Sequence, residues 1–378
     1  MVDDDLLAWA AFGRTPGLEV TALTAALAVL GRPAAIIGAP ERELLLAGLP
    51  VQSAAYLSSG AALPRASERI WLQTPRHHLV PCTDPRFPRP LRSLADCPLA
   101  LYLSGNIAAL TDPQLAIVGS RNPTAQGRET AGEFAERLSA RGLGITSGAA
   151  EGIDACAHGG ALRAHGVTLA VLGTGADLVY PQCNRTLCAC IEEQGALISE
   201  FPLGTPPRRR NFPQRNRLIA ALSLGTLVVE AARRSGSLIT ARLAGRYGRV
   251  VFAVPGSIHN PLSRGCHELI KGGAKLVETT DDILRELNFS AFFDNDLSMR
   301  GGHLRRPGTT AGMDKDQKIL LDALGFDPVD LDSLVVRTGF KPDAVSSMML
   351  ILELEGHVQS APGGRYSRVA YRRAGGER

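Results

Sequence analysis

The sequence predicts an α/β protein whose central domain is a doubly wound parallel sheet, with a helical domain before it and a winged helix after it. Across roughly residues 110 to 290, short apolar runs alternate with helical stretches, and parallel strands joined in this way need right-handed helical crossovers. Aromatic residues make up only 5% of the 378 residues, while glycine contributes 40. We therefore expect an aliphatic core, as in sheets covered by helices.

The composition excludes several classes of protein. A hydrophobic content of 45% in 378 residues is enough for two or three soluble domains. The start Met1-Val2-Asp3-Asp4-Asp5 is acidic where a secretory signal is basic, and no apolar run is long enough to span a bilayer, so we expect a cytoplasmic protein without membrane contact. Seven cysteines show no paired metal-binding spacing, and Cys183, Cys188 and Cys190 are interpreted as small buried thiols, with no metal expected.

A helical domain and a connector precede the sheet. Apolar stretches at helical spacing, broken by glycine and proline, predict a small helical domain over residues 1–62. The proline-rich residues 64–114 are interpreted as an irregular connector that ends in a short strand at Leu99 to Leu103. The paired His77-His78 indicate packing more than metal binding, because the sequence places no third ligand beside them. The connector and the sheet together are expected to form one domain over residues 63–290.

The strands of the sheet are predicted from apolar runs that are each followed by glycine and a helical stretch. The predicted strands are Leu115 to Val118, Gly144 to Thr146, Thr168 to Leu172, Ala196 to Ser199, Thr226 to Glu230, Val250 to Val254 and Lys275 to Val277.

A linker and a winged helix are predicted after the sheet. Residues 291–313 are polar and contain glycine, which is typical of a linker. Helical runs near 315–324, 330–337 and 342–355 precede a hairpin-like segment from His357 to Tyr371, so a winged helix is expected over 314–372.

The winged helix has an unusual recognition helix. That helix, expected over Asp343 to Glu355, contains no lysine or arginine, so reading of base edges in a DNA groove is not expected of it. A role in protein interaction is equally consistent with its sequence.

A dense basic segment indicates the function. Residues 201 to 275 contain 13 Lys+Arg and 2 Asp+Glu, a charge of +11 on a chain whose total is +4. A cationic region on an otherwise acidic chain is typical of a polyanion site, whereas a solvated face usually mixes both signs. Within it, Pro206 to Pro213 predicts a stiff basic loop in which Arg209 lies near Phe212, a ring that can stack on a nucleobase.

Other residues of this part of the chain suit phosphate. Gly119-Ser120-Arg121 leaves the first parallel strand, where glycine permits close approach, serine donates a hydrogen bond and arginine binds phosphate bidentately. Arg215 and Arg217 flank Asn216 and predict two phosphate contacts with a base-edge or backbone donor between them; alternatively this unit only ties a helix to the sheet. Lys271 is either a further phosphate contact or an ordinary surface lysine.

Two further segments contain residues that are typical of catalysis or cofactor binding. Asp154 and His158 lie four residues apart on a predicted helix and could form an acid/base pair, but a capping role for the aspartate and packing of the histidine are favoured. Gly173-Thr174-Gly175 lacks the third glycine of a dinucleotide fingerprint, so no NAD site and no cofactor are expected.

The ordered motifs closely resemble those of the DprA/Smf family of bacterial DNA-processing proteins, over roughly residues 80 to 280. The motifs are Ile117-Val118-Gly119-Ser120-Arg121, Ser147-Gly148, Gly152-Ile153-Asp154, Ala157-His158, Tyr180-Pro181, Asn184-Arg185, Ser199-Glu200, Phe212 to Arg217, Ser235 to Arg242, Val254-Pro255-Gly256 and Leu269 to Ala274. The resemblance implies an extended Rossmann-like fold with an N-terminal domain like a sterile alpha motif (SAM) and a C-terminal winged helix.

The resemblance also implies a function. Such a protein binds single-stranded DNA, protects incoming strands during natural transformation and loads the RecA recombinase onto them, as a homodimer and without being an enzyme. The family's DNA-contacting pattern carries onto Arg121, Arg209, Phe212 and Lys271. Where relatives often have lysine before the Phe-Pro pair, this chain has arginine at 208 to 210, which preserves the charge.

An enzymatic function is the alternative to DNA binding. The predicted sheet is similar to that of lysine-decarboxylase-like nucleoside phosphoribohydrolases, which would make the chain a nucleotide-binding hydrolase with Glu230 and Asp154 as acid and base. Against this alternative, the Gly-Gly-x-Gly-Thr nucleotide loop of those enzymes is absent, and only Gly225-Thr226 and Glu230 faintly resemble it.

Overall fold

The computed structural model describes residues 3–289, 314–325, 328–361 and 363–369, and begins with a group of helices. These helices are α1 (Asp4–Arg14), α2 (Val20–Leu30), α3 (Pro33–Ile36), α4 (Glu41–Leu46), α5 (Val51–Ser58) and α6 (Ala66–Gln73). The predicted helical domain is confirmed as helical, while its likeness to a sterile alpha motif and its boundary at residue 62 stay predictions.

Helix α6 lies in the segment that the sequence analysis treated as irregular. Its first turn is held by Glu68, whose carboxylate accepts a hydrogen bond from the Arg65 backbone N–H at 2.9 Å. The same carboxylate forms a buried ion pair with Arg14 of α1. Because this pairing partner comes from a distant helix, the local sequence gave no sign of it.

The connector contributes two strands and a short helix to the main sheet. They are β1 (His77–Pro81), α7 (Arg89–Arg92) and β2 (Ala100–Gly105). The expectation of an irregular connector with a single strand was therefore wrong, because β1 pairs antiparallel with β2 from His77 opposite Ser104 onward. The interpretation of His77 as a packing residue is confirmed, since its ring stacks on Trp71 with 4.3 Å between centroids.

Strands and helices then alternate through the α/β domain. In chain order they are β3 (Gln114–Val118), α8 (Ala125–Ser139), β4 (Gly144–Ser147), α9 (Ile153–Arg163), β5 (Thr168–Val171), α10 (Arg185–Gln194), β6 (Ala196–Ser199), α11 (Asn211–Leu222), β7 (Gly225–Val228), α12 (Ser237–Arg246), β8 (Val250–Ala253), α13 (Arg264–Lys271), β9 (Lys275–Leu276) and α14 (Thr280–Glu286). Each of the predicted strands is present to within two residues at either end.

The strand order fixes where a ligand can bind. The sheet has the order β1-β2-β6-β5-β4-β3-β7-β8-β9, and β3 to β9 all run parallel. The chain moves one way from β3 to β6 and the other way from β7 to β9, so the winding reverses between β3 and β7. In doubly wound sheets, the crevice outside the carboxyl ends of the strands at such a reversal is the usual binding site. The predicted extended Rossmann-like fold is confirmed.

The C-terminal part of the described chain is a winged helix, as predicted. Its elements are α15 (Lys315–Leu324), β10 (Val329–Asp330), α16 (Leu331–Thr338), α17 (Pro342–Leu354), β11 (Val358–Ala361) and β12 (Arg365–Arg368). The structure adds β10 to the predicted hairpin, giving a sheet in the order β10-β12-β11. The predicted linker at 291–313 and the last residues of the predicted domain, from 370 on, lie outside the described residues.

Two further expectations concern cysteines and membranes. Cys188 is buried as expected, but Cys183 and Cys190 are exposed, because they lie on the outer side of α10 and the turn before it. Among the described helices, none combines the length and the apolar character that crossing a bilayer requires.

Candidate nucleic-acid interface

The loop after β3 is held rigidly at the reversal of the sheet. The Ser120 N–H donates to the Glu230 carbonyl at 2.7 Å, and the Ser120 carbonyl accepts from the Ile153 N–H at 3.1 Å. A Cβ atom at Gly119 would lie 2.6 Å from Ile153 Cγ1, so only glycine fits between these two segments. This packing presents Arg121, an exposed residue, at the mouth of the crevice.

Three side chains from different segments of the chain meet beside that mouth. The guanidinium carbon of Arg121 lies 5.6 Å from the centroid of the Phe212 ring. The ring of Tyr180, which is 44% exposed, lies 5.7 Å from that of Phe212. Phe212 rests on the chain at Gly173, where a Cβ atom would come within 2.9 Å of the ring. We call Arg121, Tyr180 and Phe212 the aromatic–arginine cluster.

Tyr180 is the member of this cluster that the site prediction omitted. In the sequence, Tyr180-Pro181 is recognised only as a family motif, and no role is predicted for the tyrosine. An exposed aromatic residue in a loop at the carboxyl end of a strand is the signal that could have identified it.

The basic segment is a loop only in part. Arg208, Arg209 and Arg210 are exposed residues in extended or turn structure, but α11 begins at Asn211, so Phe212 and the residues after it are helical. Pro213 is compatible with helix there because the first turn needs no N–H from it. The three arginines therefore precede a helix N-terminus, whose dipole also favours anions.

Arg215 does not lie on the surface as a phosphate contact would. Its side chain is 4% exposed, and Nη1 donates to the Gly148 carbonyl at 2.7 Å and also to the Val171 carbonyl. Burial lowers the pKa of Arg215 to about 10, so it stays charged at neutral pH. Burial also raises the pKa of the neighbouring Asp154, which the Arg215 charge partly offsets. Arg215 thus joins α11 to the loop after β4 and to the last residue of β5.

Arg217 and Asn216 also tie elements together. Arg217 is 6% exposed and forms ion pairs with Glu200 and, at 2.8 Å, with Asp96. Burial raises the pKa of Glu200 to about 7, against the lowering influence of Arg217. The Asn216 amide lies 3.5 Å from the Gly236 carbonyl before α12. The alternative that the Arg-Asn-Arg unit ties a helix to the sheet therefore describes its geometry, since both arginines are buried among their partners and not on the surface.

Lys271 is exposed but lies apart from the cluster. Helix α13 starts near the carboxyl end of β7, where the Gly265 N–H donates to the Ala231 carbonyl at 2.8 Å. The helix runs back along the sheet, so Lys271 at its last position lies next to the start of β9. Eight helical residues separate the two ends by about 12 Å.

The residues of the enzymatic alternative are engaged in holding loops. Glu230 accepts hydrogen bonds from the Thr124 N–H at 2.9 Å and the Thr124 hydroxyl at 2.6 Å, at the start of α8. Asp154 accepts from the Gly148 N–H at 3.1 Å. His158 is fully buried with Nδ1 2.7 Å from Thr168 Oγ1, and burial lowers its pKa to about 3. The favoured reading of Asp154 as a loop cap and His158 as a packing residue is confirmed.

The fold and this site define a class: a doubly wound α/β protein with an arginine-rich, aromatic surface at the reversal of its sheet and a winged helix. The sequence matches the family profile of DNA recombination-mediator protein A over residues 78–288 and that of the DprA winged helix domain over residues 305–364. The chain belongs to the DprA family.

Individual relatives agree with this assignment. Protein Smf of Escherichia coli is 42% identical over 318 residues, which cover 84% of each chain. The crystal structure of DprA from Streptococcus pneumoniae superposes with a TM-score of 0.64 at 34% identity, covering 75% of this chain and 98% of that one. DprA from Helicobacter pylori, described for its single-stranded DNA binding mode, gives a TM-score of 0.50 at 30% identity, covering 54% and 94%.

Proposed function

We propose that this protein binds single-stranded DNA at the aromatic–arginine cluster. The observation that carries the proposal is the arrangement of Arg121 over the Phe212 ring at 5.6 Å, beside the exposed Tyr180. An arginine next to one exposed and one half-buried ring offers both of the contacts that single strands use, phosphate neutralisation and base stacking. The likeness to the H. pylori protein supports the same conclusion.

The proposed contacts divide by chemistry. Arg121 and Arg209 neutralise phosphates, and the tight loop at Gly119 and Ser120 lets the backbone approach them. Phe212 stacks on a base, which requires the base to be free of its partner strand. Lys271 remains a proposed phosphate contact for a strand long enough to continue along α13.

We propose further that the bound strand is protected and passed to the RecA recombinase in the cytoplasm during natural transformation, as the family resemblance implies. On a strand that is already coated by a single-strand-binding protein, RecA filaments should form only when the present protein is added as well. The assay compares wild type with Phe212→Ala in RecA filament formation and nuclease protection. Filament formation that is equal with and without the protein would contradict the loading role.

The proposed homodimer fits one edge of the sheet better than the other. At the β1 edge, α1 and α6 pack against the strand, and Val80 is fully buried. In the described part of the chain β9 has a neighbouring strand on one side only, and Leu276 is 48% exposed. An open edge with an apolar side chain is suited to pairing with a second copy. Sedimentation of Leu276→Arg should show monomer, while Ile70→Arg, at an exposed site on α6, should sediment as wild type.

A further inference from the structure

Helix α17 of the winged helix is apolar on two faces. Its inner face packs into the core of the small domain through Val345, Met349 and Leu352, which are at most 1% exposed. Its outer face carries Leu350, Ile351 and Leu354, which are 58%, 42% and 80% exposed. Leu354 lies four residues after Leu350 and three after Ile351, and these spacings place side chains next to each other on a helix. This outer stripe, Leu350, Ile351 and Leu354, is called the α17 stripe.

The charge around the α17 stripe has the wrong sign for DNA. Residues 342–355 contain three acidic residues and no lysine or arginine. A helix that enters a DNA groove needs cations for the phosphates and donors for the base edges. Lys341 precedes the first turn, and 13 helical residues place it about 20 Å from Leu354. The Arg337 guanidinium of α16 donates to the Ala323 carbonyl at 2.9 Å instead of facing the stripe.

Two acidic side chains lie at opposite ends of the helix that carries the α17 stripe. Asp343 lies exposed in the first turn of α17, and Glu355 is exposed directly after Leu354. Glu353 is turned towards the wing, where its carboxylate accepts from the Ser360 N–H at 3.2 Å. An incoming surface that covers the α17 stripe therefore meets the carboxylate of Glu355 directly beside Leu354, whereas at the other end of the helix Asp343 lies near Lys341. Charge complementarity selects a partner with basic residues at the margins of its apolar contact.

We propose that the α17 stripe is a docking surface for an amphipathic helix of a partner protein, with leucine-type residues on one face and lysine or arginine beside them. A helix laid against an apolar stripe is a common mode of recognition. The charges at the margins contribute specificity, and the leucines contribute affinity. Three side chains make a small contact, which suits a transient interaction. The α17 stripe shares no residue with the aromatic–arginine cluster, so we expect the two surfaces to be altered independently by mutation.

The test uses the full chain and two designed helical peptides with the same leucine stripe, one flanked by lysines and the other by glutamates. The lysine peptide should bind, and the glutamate peptide should bind at least about tenfold more weakly. The variant Leu350→Glu/Leu354→Glu should weaken binding of the lysine peptide by about a hundredfold, since each buried leucine contributes about tenfold or more. It should do so although it adds negative charge, which separates apolar docking from simple charge attraction.

A control variant and two further measurements distinguish a partner helix from other possible occupants of the α17 stripe. Ile70→Glu, an exposed apolar site on α6, should leave peptide binding unchanged, and both variants should keep single-strand affinity. Three outcomes overturn the proposal. They are unchanged peptide binding in the double variant, protection of α17 from hydrogen exchange by duplex DNA, and self-association of wild type that the double variant abolishes.

Discussion

The guanidinium group of Arg121 lies over the ring of Phe212, with 5.6 Å between the guanidinium carbon and the ring centroid. Arg121 follows β3, and Phe212 lies in the first turn of α11, so the two residues are 91 positions apart and meet only in the folded sheet. The contact places a fixed cation beside a stacking surface. The two side chains should nevertheless contribute to DNA binding in different ways.

Arg121→Ala and Phe212→Ala should separate charge from stacking. Loss of one phosphate contact should reduce the slope of log affinity against log salt by about 0.7 for a single strand. Loss of the ring should weaken binding by about 1 to 3 kcal/mol with the slope intact. Salt titrations of both variants check this, with Arg42→Ala on α4 as an exposed control. Equal slope changes in the two variants would contradict the assigned roles.

Gly173→Ala should weaken single-strand binding without altering its salt dependence. The added Cβ would lie 2.9 Å from the Phe212 ring and must displace it. Gly13→Ala is the matched control, because nothing lies within 4 Å of its added Cβ. The measurement is the affinity of each variant for the same single-stranded oligonucleotide. Full affinity of Gly173→Ala would show that the position of the ring is unimportant.

Arg215→Met should destabilise the fold by about 3 to 5 kcal/mol, because it removes the buried charged hydrogen bonds to the Gly148 and Val171 carbonyls and the positive charge near Asp154. Any loss of DNA affinity should leave the salt slope unchanged, since no phosphate contact is removed. Arg209→Ala should do the opposite, with a smaller slope and unchanged stability. Urea unfolding and salt titration of both variants test this. A stable Arg215→Met protein with a reduced slope would restore Arg215 as a phosphate contact.

His158 should make the fold sensitive to acid. Its folded pKa of about 3 lies below the ordinary 6.5, so its stabilising contribution is complete above pH 6.5 and is lost as the pH falls towards 3. Between pH 7 and 5 the loss amounts to about 2 kcal/mol. In His158→Asn, which keeps a hydrogen-bonding group near Thr168, the stability deficit relative to wild type should shrink by that amount. A deficit independent of pH would mean that the histidine takes up a proton in the folded protein as readily as in the unfolded chain.

Much of the fold follows from local sequence. The strands from Leu115 onward are short apolar runs followed by glycine, and each was predicted to within two residues. By contrast, α6 depends on Glu68 reaching both its own first turn and Arg14, and β1 depends on β2 as a partner. The contact of Glu68 with its own first turn is local, but the Arg14 ion pair and the pairing of β1 with β2 are not, and both elements were missed.

The site was predicted by residue type more than by placement. Arg121 and Phe212 were chosen from loop position and chemistry, and the fold brings them together. The sequence could not show that Arg215, one helical turn beyond Phe212, points inward to the Gly148 carbonyl. Charge alone does not distinguish an arginine on the surface from one that a folded loop encloses.

The most direct test of the account is an anisotropy titration of labelled poly-dT and of a matched duplex at several salt concentrations, with wild type and Arg209→Ala/Phe212→Ala. The account predicts tight binding of the single strand, weak binding of the duplex and loss of strand binding in the variant. Equal affinity for both DNA forms, or binding unchanged in the variant, would contradict it. In that case release of a base from nucleoside monophosphates would be the activity to measure next.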